Sequence, residues 1–282
     1  MKIVKLFCFP LLLVACYSCS GNNGNSANIS NDTIPEIASK NILQSNGDGI
    51  KTIHVFVALC DNKYQGIVPV PASIGNGQDA KNNLYWGAAN GVKSYFIRSK
   101  DWQLISSQKN NSENILERLL FKHKSKNVYL LADAYDGQFI KQTTIDFLNA
   151  SSGRHEVMLQ HGGQKIYFGG AANLLAYIGH DGLMDFSLNE KFIGDSSQLR
   201  ETIILACYSK RFFSGHLKQT GAKPLIWTSG LMAPEAYTLH DAITEWIADA
   251  KPKQVRIAAA KAYSKYQKCS IKAAQNLLVQ GW

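Results

Sequence analysis

Charged residues are sparse in this chain of 282 residues: Asp, Glu, Lys and Arg together make up 18%, against 10% aromatic and 45% apolar. That balance excludes a largely disordered chain, which lacks the large apolar side chains needed to offset ordering entropy. Basic residues outnumber acidic ones, 30 to 21, for a formal charge of +9. They are scattered, with no block of roughly five or more like charges, so no nucleic-acid partner is expected. Cysteine is scarce too, at positions 8, 16, 19, 60, 207 and 269. The single C-x-x-C, Cys16 to Cys19, has no second pair or spaced histidines to complete a zinc ribbon, and no metal or cofactor is expected. Internal repeats are absent, and no Gly- or Pro-rich linker divides the chain after its first fifty or so residues, so one working domain is expected.

What is present begins with an export segment. Residues 1–15 set Lys2 and Lys5 before an apolar stretch from Leu6 to Ala15, the layout of a signal peptide and too short to span a bilayer as a helix. Leu13-Val14-Ala15-Cys16 resembles the bacterial lipobox, which implies a lipidated Cys16 as the new N-terminus. Cys19 fits less well, because Cys16 would then stand where that motif has leucine. Residues 16–50, including Gly21-Asn22-Asn23-Gly24-Asn25-Ser26, read as a flexible tether. The working domain is then residues 51–282, and losing Lys2 and Lys5 lowers the charge from +9 to +7. The expected location is the cell envelope, lipid-anchored at the outer membrane or cell surface.

Within 51–282, short β-branched runs alternate with helical spacings. Strands are expected at Thr52–Leu59, Val92–Ile97, Val128–Ala132, Leu174–Ile178, Thr202–Ala206 and Leu225–Thr228. Helices are expected at Ser112–Lys122, where Ile115, Leu116, Leu119 and Leu120 have helical spacing and Ser112 is an N-cap, and at Phe139–Leu148. Three more follow: Ala236–Ala248, Val255–Tyr266 and Ile271–Val279. Such alternation predicts an α/β fold, a three-layer α/β/α sandwich around a mostly parallel sheet, with ligands beyond the carboxyl ends of the strands.

Two of those ends carry chemistry. The strand at Leu174–Ile178 runs into Gly179-His180-Asp181-Gly182, and the strand at Thr202–Ala206 into Cys207-Tyr208-Ser209. A thiol nucleophile needs an imidazole to take up its proton and to protonate a leaving amine, with backbone N–H groups to receive the oxyanion. A parallel sheet brings these two ends to one edge. Gly182 would leave room for a substrate near the backbone. By itself a strand-end cysteine is more often an inert core residue.

An apolar strand closing on His-Gly-like sequence, followed by one closing on Ala-Cys, resembles the caspase-like (clan CD) cysteine peptidases, nearest to the legumain and GPI-transamidase catalytic-subunit group. The resemblance runs from about Ile53 to Ala236 and rests on the order of short motifs. These are Ala134-Tyr135-Asp136-Gly137-Gln138-Phe139-Ile140, Ile145-Asp146-Phe147-Leu148, Leu175–Phe186 around His180, and Leu205-Ala206-Cys207. It implies a caspase–haemoglobinase-like fold and an endopeptidase or transpeptidase acting on peptide or protein substrates through a thioester. Cys207 would be the nucleophile and His180 the general base and acid. The Cys207 amide would hold the oxyanion with a second amide, from Asp181 or Gly182. Asp181 departs from the glycine usual in the family, and the 27-residue step from His180 to Cys207 is short. A trimmed connection explains that spacing, and so does loss of activity, leaving a catalytically inactive relative that binds peptides or a protein partner.

The resemblance also implies that Ser229 and Gly230, in the loop after the strand following the cysteine, line the substrate pocket. Relatives place an arginine after the first strand to bind an acidic or amide side chain. Asn82-Asn83-Leu84-Tyr85-Trp86 contains none, so that preference is not carried over. Among rivals, His161 precedes Gly162-Gly163 but is separated from the cysteine by another strand. Cys60 and Cys269 read as packed thiols or a disulfide pair. Asp136 reads as a helix cap, with a crevice-facing Asp133 or Asp136 as the alternative, and Tyr85 and Trp86 read as core aromatics.

Overall fold

The computed structural model describes residues 46–47, 49–194 and 198–282. The expected signal peptide, the lipidated Cys16 and most of the tether lie outside the described residues. In chain order the strands are β1 (Lys51–Ala58), β2 (Trp102–Lys109), β3 (Ile115–His123), β4 (Val128–Tyr135), β5 (Val157–His161), β6 (Gln164–Phe168), β7 (Leu174–Ile178), β8 (Glu201–Leu205), β9 (Lys223–Thr228) and β10 (Leu278–Val279). The helices are α1 (Val92–Arg98), α2 (Ile140–Ser151), α3 (Ser209–Thr220), α4 (Ala236–Ile247), α5 (Pro252–Gln267) and α6 (Ile271–Leu277).

Eight strands form one mixed sheet in the order β10-β9-β8-β7-β1-β4-β3-β2. Its centre, from β9 through β4, is parallel, and β10, β3 and β2 pair antiparallel at the two edges. The central strands are buried along nearly their whole length and mostly apolar, because a parallel sheet is covered on both faces. In β1 the pleat sends Ile53, Val55 and Val57 to one core cluster, shared with α1, α4 and α5, and Phe56 and Ala58 to another, under α2 and α3. A third cluster, around Leu120, Tyr129 and Leu131, lies beneath the separate β5–β6 hairpin. The fold is α/β, as expected, with helices on both faces.

Three local expectations give way. Val92–Ile97 is helical: Val92 and Phe96, four apart, are its buried residues, a one-sided pattern that a six-residue run of mixed aromatic and β-branched side chains conceals. Ser112–Lys122 is not a helix but a turn leading into β3, where Ile115, Glu117, Leu119 and Phe121 are buried at strand spacing. Glu117 hides that period because its charge belongs to a buried network: it accepts from Trp86 Nε1 at 2.7 Å and from Lys93 Nζ at 2.7 Å. Third, α6 stops at Leu277, and Leu278 and Val279 pair with Thr228 and Trp227.

The chain passes from β1 to its neighbour β4 on one side, then returns by α2 and the hairpin to β7 on the other. Crevices open beyond strand ends where the winding reverses in this way, here at β1, β7 and β8.

Candidate active site

Cys207 sits two residues past β8 and immediately before a sharp turn. Tyr208 adopts a left-handed backbone (φ 49°), which swings the chain into α3. Ser209 and Thr228 lock this elbow together. The Thr228 N–H donates to Ser209 Oγ at 2.9 Å, the Ser209 N–H donates to Thr228 Oγ1 at 3.1 Å, and the Thr228 hydroxyl donates to the Ala206 carbonyl. A hydroxyl pair between neighbouring strand ends thus fixes the backbone on both sides of the thiol.

His180 lies two residues past β7. Gly179, between them, has φ +146° and packs so closely on β1 that a Cβ there would meet the Ala58 carbonyl oxygen at 2.6 Å. His180 is 6% exposed. Its Nε2 is 2.7 Å from Asp185 Oδ2, and Nδ1 has no hydrogen-bond partner among the described residues. Asp185 also accepts from the Gly66 N–H at 2.9 Å, so one carboxylate ties the histidine turn to the loop after β1.

Cys207 and His180 line the same pocket, of about 440 Å³. Its remaining walls come from the loop after β1 (Gly66–Val68, Val70), from Leu84 and Tyr85, from Met184, and from the stretch Leu231–Glu235 after β9. The first wall is braced by side-chain amides: Asn62 exchanges hydrogen bonds with the backbone of Val70, at 2.8 and 2.9 Å, and Gln65 donates to the Leu59 carbonyl at 2.7 Å. The Cys207 sulfur accepts from the Met232 N–H at 3.4 Å and donates to its carbonyl at 3.6 Å. Burial pushes the Cys207 thiol up, the Met232 N–H works against this, and the charge of Asp181 adds to it.

The structure does not bring the other expected residues to this lining. Asp181 is fully buried as the cap of the tight turn Gly182–Met184, accepting from the Leu183 N–H at 3.0 Å. Its second oxygen has no partner, and burial, only partly offset by that N–H and reinforced by Asp185, pushes its carboxyl up to about 7. Gly182 lies under the Phe186 ring, where a Cβ would meet ring carbons at 2.6 Å, so its lack of a side chain serves packing. Ser229 donates to the Asn276 carbonyl at 2.8 Å, drawn there by the pairing of β10 with β9, and the Gly230 carbonyl accepts from the Tyr208 N–H at 2.8 Å. The wall after β9 begins one residue later, at Leu231.

Among the rivals, His161 sits on the β5–β6 hairpin, outside the pocket. Cys60 and Cys269 are free thiols, and burial lifts Cys60 to about 11. Asp136 caps the turn that precedes α2, accepting from the Gln138 N–H at 3.0 Å. Asp133 is buried in the sheet against Arg118 and His54. Trp86 is core, and Tyr85, though buried, reaches the pocket. The sequence reading missed Asp185 and Met232. A carboxylate five residues after a strand-end histidine was the available signal for Asp185, but Met232 acts through its backbone and leaves none. Among the described residues no group of three His, Cys, Asp or Glu side chains could hold a metal ion, and no helix is long and apolar enough to cross a membrane.

Comparison of the chain with protein-family models, with curated proteins and with solved structures returns no match.

Proposed function

We propose that the protein is a caspase-like cysteine peptidase, with Cys207 as nucleophile and His180 as general base and acid, carried on a lipid-anchored exported chain. The observation that carries this reading is that both side chains line one pocket, with Asp185 holding Nε2 of the imidazole. Nucleophile, base and orienting carboxylate are the parts an activated thiol requires. In the proposed reaction His180 takes the Cys207 proton through its unpaired nitrogen, and the sulfur attacks the substrate carbonyl. His180 then returns that proton to the leaving amine as the C–N bond breaks. Water, giving a proton to His180, cleaves the thioester and regenerates the thiol; an incoming amine in place of water gives transpeptidation. Asp185 keeps the ring oriented and stabilises the imidazolium that forms between the steps. The Cys207 amide is the first oxyanion donor; the Gly179 N–H already donates to the Leu205 carbonyl at 3.3 Å, and His180 belongs to the lining, which Asp181 and Gly182 do not.

A second reading, peptide binding without turnover, is favoured by the hold of Met232 on the sulfur and by the raised thiol. Labelling with peptidyl electrophiles separates the two. Wild type is expected to be labelled, and Cys207→Ala and His180→Ala are expected to lose about a thousandfold or more in rate. Labelling that survives Cys207→Ala at full strength refutes the peptidase assignment.

A further inference from the structure

Which substrate side chain fits beside Cys207 is written in the pocket walls. Ile67, Val68, Val70, Leu84, Leu231 and Pro234 present aliphatic surface around the sulfur. Val68 and Leu231, at 87% and 67% exposure, leave an unusually apolar rim on a surface that would otherwise favour polar side chains. None of the lining residues is Lys or Arg. The one anionic group is Glu235, whose Oε2 already accepts from the Tyr237 hydroxyl at 2.9 Å and from Gln267 Nε2 at 3.2 Å. An acidic side chain entering here would be desolvated, would face that carboxylate, and would find as its one basic neighbour His180, already engaged by Asp185. An amide would be desolvated largely against aliphatic carbon. A lysine or arginine has only Glu235 to meet it, beside a pair of donors already in place.

We infer that this pocket selects a substrate by a bulky apolar side chain, of Leu, Met or Phe size, on the residue whose carbonyl is attacked. The volume of about 440 Å³ lies within the usual range of small-ligand sites, about 300–1,000 Å³, and exceeds what one such side chain fills. The remainder takes up part of the neighbouring residue against Met184 and Tyr85. The inference rests on Cys207 being the nucleophile only for its position in the substrate, since the walls bind by their own chemistry.

The test is a panel of otherwise identical peptidyl electrophiles ending in Leu, Met, Phe, Asp, Asn, Lys or Arg, read as Cys207-dependent labelling rates. The apolar members are expected to lead the others by at least about tenfold. Val70→Arg, on a partly exposed wall position held by its backbone, is expected to turn the order toward Asp. If Asp, Asn, Lys or Arg leads on wild type, the pocket inference falls while the peptidase reading stands. Should no member label through Cys207, the peptidase reading falls. The pocket is then judged by binding of the matching capped peptide amides to Cys207→Ala, followed by calorimetry. A preference for the apolar amides upholds the inference, and equal or absent binding overturns it.

Discussion

Two histidine–aspartate pairs sit on neighbouring parts of the central sheet, and chemically they begin alike. His54 Nε2 is 3.0 Å from Asp133 Oδ2, and His180 Nε2 is 2.7 Å from Asp185 Oδ2. Their access to solvent differs. His54 and Asp133 point from adjacent strands β1 and β4 into a dry layer where both side chains are 0% exposed, whereas His180 and Asp185 are 5% and 32% exposed. Arg118 grips Asp133 through two nitrogens, at 2.7 and 2.6 Å. Burial acts to raise Asp133, but the hydrogen bonds from Arg118 and His54 hold it at about 2, while burial lowers His54 so that the imidazole stays neutral. The first pair is a fixed structural unit, with no opening through which a substrate could reach it. In both pairs one ring nitrogen is engaged by a carboxylate and the other has no protein partner among the described residues, but His54 is sealed in the interior while His180 stands on the wall of a pocket. Proximity of the two residue types does not mark a working site; access for a reactant does.

The sharpest way to break this comparison is Asp133→Ala. It leaves the Arg118 guanidinium buried without its counter-charge, and is expected to cost about 3–5 kcal/mol of stability, read as a lower midpoint in denaturant unfolding. If the loss is under about 1 kcal/mol, the pair is not structural. Next in size is Asp185→Ala, which should lower the Cys207-dependent labelling rate by about ten- to a hundredfold while leaving the unfolding midpoint nearly unchanged, since Asp185 positions His180 from a partly exposed site. A large stability loss with little change in rate would make the two pairs equivalent.

A smaller effect concerns pH. The contribution of Asp133, whose carboxyl is depressed in the fold, is present above its ordinary value of 3.8 and is lost as pH falls through about 2. Asp181 has the opposite sign. Its carboxyl is raised, so its contribution is complete below 3.8 and is lost as pH rises through about 7. Asp181→Asn should therefore gain about 2–3 kcal/mol on wild type between pH 5 and pH 8, measured as the difference in unfolding free energy. A variant that tracks wild type across that range would show that Asp181 ionises freely in the folded protein.

The parallel centre of the sheet was legible because β1, β4, β7, β8 and β9 are short runs rich in apolar side chains, interrupted in β1 and β4 by His54 and Asp133, and the meeting of their carboxyl ends follows from topology alone. The edges were not. β2 carries Ser106, Ser107 and Gln108 on an outer strand, a pattern that composition does not separate from a loop, and β3 was masked by Glu117, a charge with buried partners far away in sequence. At the site, Cys207 and His180 were readable from the strands they terminate. The walls were not, because Val70, Leu84 and Leu231 come together only through loops whose paths are set by Asn62, Gln65 and the β9–β10 pairing.

The chain approaches the sheet beside β6, where Asn46 and Tyr167 exchange hydrogen bonds at 2.9 and 2.8 Å, one turn before β1 begins. β1 has eight residues, which at about 3.3 Å each put roughly 26 Å between that approach and the carboxyl edge. The described chain thus enters at one pole of the sheet while the Cys207 pocket opens at the other, so a substitution at Asn46 acts a full strand length from the thiol and reaches the pocket walls only through β1.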